Sequence, residues 1–538
     1  MSQWLEFYPE NVSHNFELDK NKTLLSALEE TVSTYSDATA FESFGVAMSF
    51  TELELKSRQF AAYLQNSGVK KGDRIALMSP NCLPFVVAMW GIIRVGAIQV
   101  NVNPLYTPLE LEHQLNDAKV DSIVLFSGST PVLSQIVNNT SVKKVIVFGL
   151  DDMLNKKLPS PPIDDGIERP IDFMSCLEKA ENLSYVKPDI APEDGVFLQY
   201  TGGTTGLSKG AFLTHGNISA NIDQFLEYSK NHLRAGEEVI ITAIPMYHIF
   251  ALTVNALAFF FLGSKNVLIT NPRDFDGFVA QWQAANPTAF TGVNTLYNGL
   301  LHNPGFLKSD FQNLNFCVGG GAPVQPVVSK KWFELTGKSI YEGYGLSETS
   351  PVLTLNLGKK GSFIKGIGLP LPATEISLRD EDDKVVEPGE RGELCARGPQ
   401  VMSHYWNRPD ATAEVMTDDG FFKTGDIALQ DADGFYHIVD RKKDMVLVSG
   451  FNVYPNEIEA VVAGMDGVLE CACIGISDES SGEAVKLFVV KSNPEISEED
   501  VIEYCRIRLT AYKVPKQIEF IAELPKSTVG KVLRRELR

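Results

Sequence analysis

The pattern that most constrains the fold is an alternation of short apolar strands and amphipathic helices. In the first 150 residues, apolar runs such as 74–78 and 122–126 alternate with helical stretches such as 84–95. Strands that alternate with helices form parallel sheets with helices packed on both faces. We therefore predict an α/β fold, with a second alternating set over about residues 195–350.

The pattern changes twice further along the chain. From about residue 366 to 440, short strands separated by turns indicate a small β-rich subdomain. After the charge cluster Asp440–Asp444 a small α+β unit follows, with a helix that begins at a Ser497/Asp500 capping box. We therefore predict an N-terminal domain, 1–440, with subdomains of about 1–190, 191–355 and 356–440, and a C-terminal domain, 441–538.

Two local predictions concern the first 200 residues. Thr51 and Glu54 form a capping-box pattern at the start of a helix that Gly68 ends. The stretch 158–192 is rich in proline and charge and has weak periodicity. It is therefore predicted to be a surface connection.

Composition argues against several classes of protein. The net charge of −20 argues against a nucleic-acid-binding protein, which is usually basic. The seven cysteines have neither zinc nor disulfide spacing, so we expect buried thiols. No apolar run reaches the ~20 residues of a spanning helix, and no secretory signal is evident. We expect a cytoplasmic protein, with peripheral contact at the inner face of a membrane left open.

The glycine-rich stretch 200–210, YTGGTTGLSKG, predicts an anion site. It contains four glycines, three threonines, one serine and one lysine. Backbone N–H groups, hydroxyls and one ammonium suit a polyphosphate. A flexible linker is the alternative, but closely flanking apolar residues favour a tight loop between strands. The stretch does not fit the P-loop pattern, because Ser208 and Gly210 occupy the places of the second glycine and the final Ser/Thr.

Other stretches with residues suited to chemistry are spread along the chain. They are PMYH at 245–248, GGGAP at 319–323, YEGYGLSET at 341–349, KTGD at 423–426 and PKSTVGK at 525–531. Each alone is more often structural than functional. In this order and at these separations, they resemble the adenylate-forming superfamily of acyl-CoA synthetases, peptide-synthetase adenylation domains and luciferases. The long-chain fatty-acid–CoA ligases of bacteria are the branch that the chain resembles most, over about residues 38–538.

The resemblance implies a fold and a reaction. The fold would be a large N-terminal domain of two α/β sheets plus a small β-barrel, hinged to a small α+β C-terminal domain. A fatty-acid carboxylate would attack the α-phosphorus of ATP to give acyl-AMP and pyrophosphate, and the thiol of coenzyme A would then displace AMP. The implied cofactors are ATP, Mg²⁺ and coenzyme A, and a homodimer is left open.

The resemblance also implies site residues. Those expected to bind ATP are Thr201, Gly202, Gly203, Thr204, Thr205, Gly206, Lys209, Gly320, Gly321, Ala322, Tyr344, Gly345, Ser347, Asp426 and Arg441. Within this set, the stretch from Thr201 to Lys209 would hold the β- and γ-phosphates, Tyr344 would stack on adenine and Asp426 would accept the ribose hydroxyls with support from Arg441. Glu348 would bind Mg²⁺ with the Thr201 hydroxyl, because Mg²⁺ prefers hard oxygen ligands.

Lys531 is expected to bridge the attacking carboxylate and the α-phosphate, where an ammonium offsets developing charge. For the second step, the resemblance implies rotation of the C-terminal domain about Lys443, with Gly450 lining the pantetheine tunnel. His248 would then lie between the acyl pocket and the thiol route. A packed, hydrogen-bonded core histidine is the alternative for His248.

Three functional hypotheses remain open at this stage. The first is a long- or medium-chain fatty-acid–CoA ligase, the second an aryl- or short-chain ligase or a fatty-acyl-AMP ligase. The third is a catalytically dead adenylate-binding protein, against which the presence of Lys531, Glu348 and Asp426 argues. Acyl chain length is not predicted.

Overall fold

The computed structural model describes residues 3–201, 208–358, 366–449, 451–478, 481–527 and 530–538. The described α-helices are α1 Leu24–Tyr35, α2 Phe50–Asn66, α3 Leu83–Arg94, α4 Pro108–Asp117, α5 Thr130–Ser134, α6 Phe173–Ala180, α7 His215–Ser229, α8 Phe275–Ala285, α9 Asn294–Leu301, α10 Pro326–Thr336, α11 Pro409–Val415, α12 Pro455–Val462 and α13 Glu498–Arg508.

The strands are β1 Thr39–Ser43, β2 Val46–Ser49, β3 Arg74–Met78, β4 Ile98–Val102, β5 Ser122–Phe126, β6 Lys144–Phe148, β7 Ile171–Asp172, β8 Gly195–Thr201, β9 Lys209–Thr214, β10 Val239–Thr242, β11 Lys265–Leu268, β12 Ala289–Gly292, β13 Phe316–Gly319, β14 Ile340–Gly345, β15 Val352–Asn356, β16 Leu369–Pro370, β17 Glu375–Arg379, β18 Arg391–Arg397, β19 His404–Tyr405, β20 Phe422–Gln430, β21 Tyr436–Arg441, β22 Val446–Val448, β23 Phe451–Val453, β24 Val468–Asp478, β25 Gly482–Lys491 and β26 Gln517–Phe520.

Two large sheets form the N-terminal part, as the alternation predicts. One has the order β19-β9-β8-β4-β3-β5-β6-β7, and the other β16-β15-β14-β13-β12-β10-β11-β1-β2. Strands β3 to β8 pair in parallel within the first sheet, and β10 to β14 do so within the second. Strands β8 and β9 belong to the first sheet and β1 and β2 to the second. The sheets therefore do not follow the predicted sequential division near residue 190.

The core between the large sheets is strongly apolar. Every residue of α3 is buried, and so is every residue of the π-helical segment Ala251–Phe259. Among the described helices, none combines the length and the apolar character needed to cross a bilayer. All seven cysteines are buried and unpaired, which confirms the prediction of buried thiols.

The β-rich subdomain is a four-stranded antiparallel sheet, β17-β18-β20-β21. In the part of the chain that the structure describes, its edge strands do not pair with each other, so it is open rather than the expected barrel. Residues 367–368 instead cover the outer edge of β21. The Ile367 N–H donates to the Tyr436 carbonyl, and the Tyr436 N–H donates to the Gly368 carbonyl.

The small C-terminal unit has the order β23-β22-β25-β24, with β26 pairing in parallel with β25 and helices α12 and α13 completing an α+β fold. Its helix α13 begins at the predicted Ser497/Asp500 capping box. The predicted mixed α/β fold class is therefore confirmed.

Two local predictions were wrong. Helix α2 is capped by Ser49, whose hydroxyl accepts from the Glu52 N–H while the Glu52 carboxylate accepts from the Ser49 N–H. The Ser49/Glu52 capping box forms in place of the predicted Thr51/Glu54 capping box, because it allows Phe50 to be buried in the first turn of the helix. The stretch 158–192 is not only a connection, since it contains β7 and α6, and α6 buries Phe173 and Cys176 behind the Asp172 N-cap.

Candidate active site

A cleft of about 1550 Å³ lies where the two large sheets, the β-rich sheet and the C-terminal unit meet. Its lining includes most of the predicted site residues: Thr201, Lys209, His248, Gly320, Gly321, Ala322, Tyr344, Gly345, Ser347, Glu348, Arg441, Lys443 and Lys531. The predicted residues Gly202, Gly203, Thr204, Thr205, Gly206 and Gly450 lie outside the described residues. The structure thus brings together side chains that are up to 330 positions apart in the chain.

The two ends of the glycine-rich stretch enter the cleft from a β-hairpin. Strands β8 and β9 pair antiparallel, with Thr201 opposite Lys209. Paired strands therefore flank the stretch on both sides, as the prediction of a connection between strands requires. Both ends are held by helix α4: the Tyr200 hydroxyl donates to Asp117 at 2.7 Å, and His113 Nε2 lies 2.9 Å from the Ser208 carbonyl oxygen.

Asp426 lies just behind the cleft wall with 2% of its surface exposed. The Tyr344 hydroxyl donates to Asp426 Oδ2 at 2.6 Å, and Arg441 Nε lies 2.7 Å from Oδ1. Antiparallel pairing of β20 with β21 sets Asp426 opposite Arg441, which explains their contact. A carboxylate has about four acceptor positions, so Asp426 keeps the capacity to accept further hydroxyl groups.

Glu348 is a buried carboxylate in the short helix Ser347–Thr349, with 7% of its surface exposed. Burial raises its pKa, and a hydrogen bond from the Tyr405 hydroxyl, 2.7 Å from Oε1, acts in the opposite direction. No ion pair among the described residues involves Glu348. A buried carboxylate that forms no ion pair within the described part of the chain, beside the Thr201 end of β8, fits a hard divalent cation such as Mg²⁺.

Lys531 keeps contact with solvent through the cleft. Surrounding protein and the positive charge of Arg441 lower its pKa to about 8, against a weaker opposing effect of Asp426. Its ammonium is therefore mainly charged at neutral pH and loses its proton at mildly alkaline pH.

His248 lies between β10 and the π-helical segment Ala251–Phe259. Burial, followed by the charge of Lys531, lowers the pKa of His248 to about 4. Its Nδ1 accepts from the Phe250 N–H at 3.3 Å. The imidazole is therefore neutral at physiological pH. His248 can line the cleft near Lys531 but does not supply a positive charge there.

Gly345 is required by packing. A Cβ atom at this position would stand 1.8 Å from the Pro351 carbonyl oxygen, so only glycine allows β14 and β15 to approach this closely. This approach fixes the chain immediately before Ser347 and Glu348.

The predicted hinge residue Lys443 lies between two anchored neighbours. Lys442 Nζ lies 2.9 Å from Glu393 Oε2, and its N–H donates to the Gly425 carbonyl at 2.9 Å. On the other side, Asp444 pairs with Arg538 at 2.8 Å. Chain rotation between these anchors would therefore fall on Lys443.

Sequence reasoning missed three residues that hold a predicted site residue or its direct neighbour: Tyr405 at Glu348, Glu393 at Lys442 and Asp117 at Tyr200. The only signal in the sequence was their residue type. Each contact joins elements that are distant in the chain, with separations of 57, 49 and 83 positions, so local patterns could not identify them.

The fold and the cleft together define an enzyme of the adenylate-forming class. A family model described as AMP-binding enzyme matches residues 28–406, and the AMP-binding enzyme C-terminal domain matches residues 457–531. The chain belongs to this AMP-binding enzyme family.

Similar proteins cover nearly the whole chain. A long-chain-fatty-acid–CoA ligase of Escherichia coli O157:H7 is 50% identical over 551 residues, which cover 99% of this chain and 97% of that protein. One of Bacillus subtilis is 36% identical, with the same shares covered. Among solved structures, ATP-bound MatB from Rhodopseudomonas palustris has a TM-score of 0.85 at 29% identity and covers 96% of this chain and 98% of its own.

Proposed function

We propose that the protein is an AMP-forming long-chain fatty-acid–CoA ligase. A fatty-acid carboxylate oxygen attacks the α-phosphorus of ATP, which gives acyl-AMP and releases pyrophosphate. The sulfur of coenzyme A then attacks the acyl carbon, which gives acyl-CoA and releases AMP. The long-chain-fatty-acid–CoA ligases of Escherichia coli, Salmonella typhimurium and Bacillus subtilis, at 36–51% identity over 99% of this chain, support this proposal.

The observation on which the proposal rests is the division of the cleft into a polar and an apolar part. The polar part contains Lys209, Glu348, Arg441 and Lys531, which suit a nucleotide and its phosphates. The apolar part is lined by Phe225, Ile249, Phe250, Val254, Val318, Val352 and Leu355. Each buried methylene contributes about 0.8 kcal/mol to binding, so this wall favours an alkyl chain.

Each polar residue has a proposed task in the first step. Lys209 and the Thr201–Lys209 stretch would hold the β- and γ-phosphates, and Asp426 would accept the ribose hydroxyls beside Tyr344. Glu348 and the Thr201 hydroxyl would hold Mg²⁺, which when bound offsets the charge of the phosphates. Lys531 would orient the carboxylate and stabilise charge at the α-phosphate. No base is required, because a carboxylic acid is already ionised near neutral pH.

The second step is proposed to use the C-terminal domain in another orientation. Rotation about Lys443 would withdraw Lys531 and bring Gly450 to the thiol route, with His248 as its neutral wall. The domain boundaries at residues 440 and 441 belong to the same proposal.

Pyrophosphate release with a panel of acids tests the function. We expect ATP-dependent release with straight-chain acids, with kcat/KM rising from short to long chains, and acyl-CoA only when coenzyme A is present. Pyrophosphate without acyl-CoA would identify a fatty-acyl-AMP ligase instead. A preference for aromatic acids would favour an aryl-CoA ligase, such as the Feruloyl-CoA synthase of Amycolatopsis sp, which is 32% identical. No turnover with any acid would indicate a binding protein.

Two further properties are proposed for the assembly in the cell. We propose a homodimer, which light scattering of the purified protein would test. Peripheral contact with the inner face of the cell membrane is proposed as the route by which fatty acid arrives, and vesicle co-sedimentation would test it.

A further inference from the structure

Tyr405 occupies a position in the cleft that the ligase reaction does not explain. It lies on β19, which pairs with β9 and sets Tyr405 opposite Ala211. The neighbouring Trp406 N–H donates to the Gly210 carbonyl at 2.8 Å. The Phe212 ring stacks on both His404 and Trp406, with centroids 4.7 and 5.8 Å apart. This short strand is therefore fixed to the strand that begins with Lys209.

The hydroxyl of Tyr405 is directed at Glu348. It donates to Glu348 Oε1 at 2.7 Å, and the Met402 N–H donates to the Glu348 backbone carbonyl at 2.7 Å. Within the described residues, Tyr405 is the one side chain that donates to this carboxylate. The short segment 402–405 thus holds both the backbone and the carboxylate of Glu348.

The ring of Tyr405 is directed at Lys209. The Lys209 ammonium lies 5.4 Å from the ring centroid, within the distance at which an aromatic face attracts a cation. A lysine side chain has several rotatable bonds, and this attraction restricts the region that its ammonium occupies.

We propose that Tyr405 is a positioning residue that links the phosphate-binding Lys209 to the metal-binding Glu348. The hydroxyl orients the carboxylate toward Mg²⁺, and the ring keeps the ammonium beside the phosphates. Tyr405 touches neither reacting atom and acts through these two side chains. The inference rests on the proposed function, because Lys209 and Glu348 have these tasks only in an enzyme that binds ATP with Mg²⁺.

Two substitutions separate the hydroxyl from the ring. Tyr405→Phe removes the hydrogen bond to Glu348 and keeps the ring beside Lys209, whereas Tyr405→Leu removes both. ATP binding is measured by calorimetry over a series of Mg²⁺ concentrations, without fatty acid. Groups that orient a metal ligand contribute about 10- to 100-fold to metal affinity. We therefore expect Tyr405→Phe to raise the Mg²⁺ concentration that ATP binding needs by about this factor, with ATP binding in EDTA unchanged.

Tyr405→Leu is expected to weaken ATP binding in EDTA as well. Tyr185→Phe is the matched control. It removes a hydroxyl that lies outside the cleft and donates to the Arg94 carbonyl oxygen at a distance of 2.9 Å. It should leave both binding measurements unchanged. In the Glu348→Gln background, Tyr405→Phe should have no further effect on the Mg²⁺ dependence.

Several results would overturn the inference. One is an unchanged Mg²⁺ dependence of ATP binding in Tyr405→Phe, and another is an equal loss of ATP binding with and without Mg²⁺. Failure of Tyr405→Phe to fold would also overturn it, because a purely structural role would then explain the contacts. Equal ATP binding in EDTA by the phenylalanine and leucine variants would overturn the role of the ring. Because the assay contains no fatty acid, these results are distinguishable from failure of the ligase proposal, which pyrophosphate release tests on the wild-type protein.

Discussion

At the scale of single residues, the charge of Lys531 depends on its neighbours. Partial loss of solvent inside the cleft and the cations Arg441 and Lys443 favour the neutral amine, while Asp426 favours the ammonium, and the resulting pKa is about 8. The proposed chemistry uses the charged form. These neighbouring charges therefore make the adenylation step sensitive to pH in a range where an ordinary lysine stays protonated.

We predict that kcat/KM for pyrophosphate release is level at neutral pH and falls as the pH rises through about 8, by about tenfold per pH unit above it. The sign follows because deprotonation above the pKa removes the ammonium that Lys531 would place at the α-phosphate. Lys531→Arg, which keeps a charge at all these pH values, should lack this alkaline decline, although its rate is lower. An identical decline in Lys531→Arg would contradict the assignment.

Lys531→Ala gives the direct measurement of this residue. We expect the rate of adenylation to fall by about 10²- to 10³-fold, with ATP binding by calorimetry nearly unchanged because the phosphates keep Lys209. Wild-type activity in this variant would refute the proposed mechanism.

That Glu348, Asp426 and Lys531 lie in or beside one cleft could be predicted from the sequence, whereas the residues that hold them could not. Glu348, Asp426 and Lys531 stand in short motifs of glycine, threonine and charge. Tyr405 lies 57 positions from Glu348 in the chain. Its contact with Glu348 becomes evident only in the folded chain, where β19 pairs with β9. Positions held by long-range contacts leave no periodic or local pattern.

At the scale of elements, helix α4 joins both ends of the glycine-rich stretch. Asp117, at the end of α4, accepts from Tyr200 and also pairs with Arg408 at 2.6 Å, while His113 lies one turn earlier beside Ser208. Residues four apart share one face of a helix, which explains why one helix reaches both ends.

We predict that Asp117→Ala raises the KM for ATP about tenfold and lowers the free energy of unfolding by about 1–3 kcal/mol. The reason is that the Tyr200 hydroxyl and the Arg408 guanidinium lose a buried acceptor. Steady-state kinetics and denaturant unfolding measure the two effects. Glu112→Ala, on another face of the same helix, is the control, and an equal rise in KM for this variant would argue against the anchor.

Elements with continuous apolar runs were predictable, including β3 and β5 at their observed ends. Two failures have local causes. At α2, two overlapping Ser/Thr-x-x-Glu patterns fit the sequence equally, and burial of Phe50 decides between them. Helix α6 has only eight residues, and the proline and charge around it led to the prediction of a connection.

At the scale of the whole molecule, the C-terminal unit is docked so that its last segment enters the cleft. Gly530 has a φ of +76°, and a Cβ there would lie 2.3 Å from Thr295 Oγ1, so glycine allows the segment to approach α9. Arg391 of the β-rich sheet also lies 4.7 Å from the ring of Tyr454 at the start of α12. This arrangement suits the first step, since Lys531 follows Gly530 directly.

The second step is therefore predicted to need undocking about Lys443. Lys443→Pro fixes φ near −65° and removes an N–H that has no hydrogen-bond acceptor among the described residues. We expect the variant to retain pyrophosphate release from ATP and fatty acid in a single turnover while acyl-CoA formation falls at least tenfold. Lys443→Ala, which keeps the backbone free, should retain both steps. Lys442 and Asp444 are each anchored by an ion pair, so we expect rotation to be concentrated at Lys443. Proline at Lys443 should therefore impair acyl-CoA formation more than proline at either neighbour. An equal loss of pyrophosphate release and acyl-CoA formation would contradict the hinge.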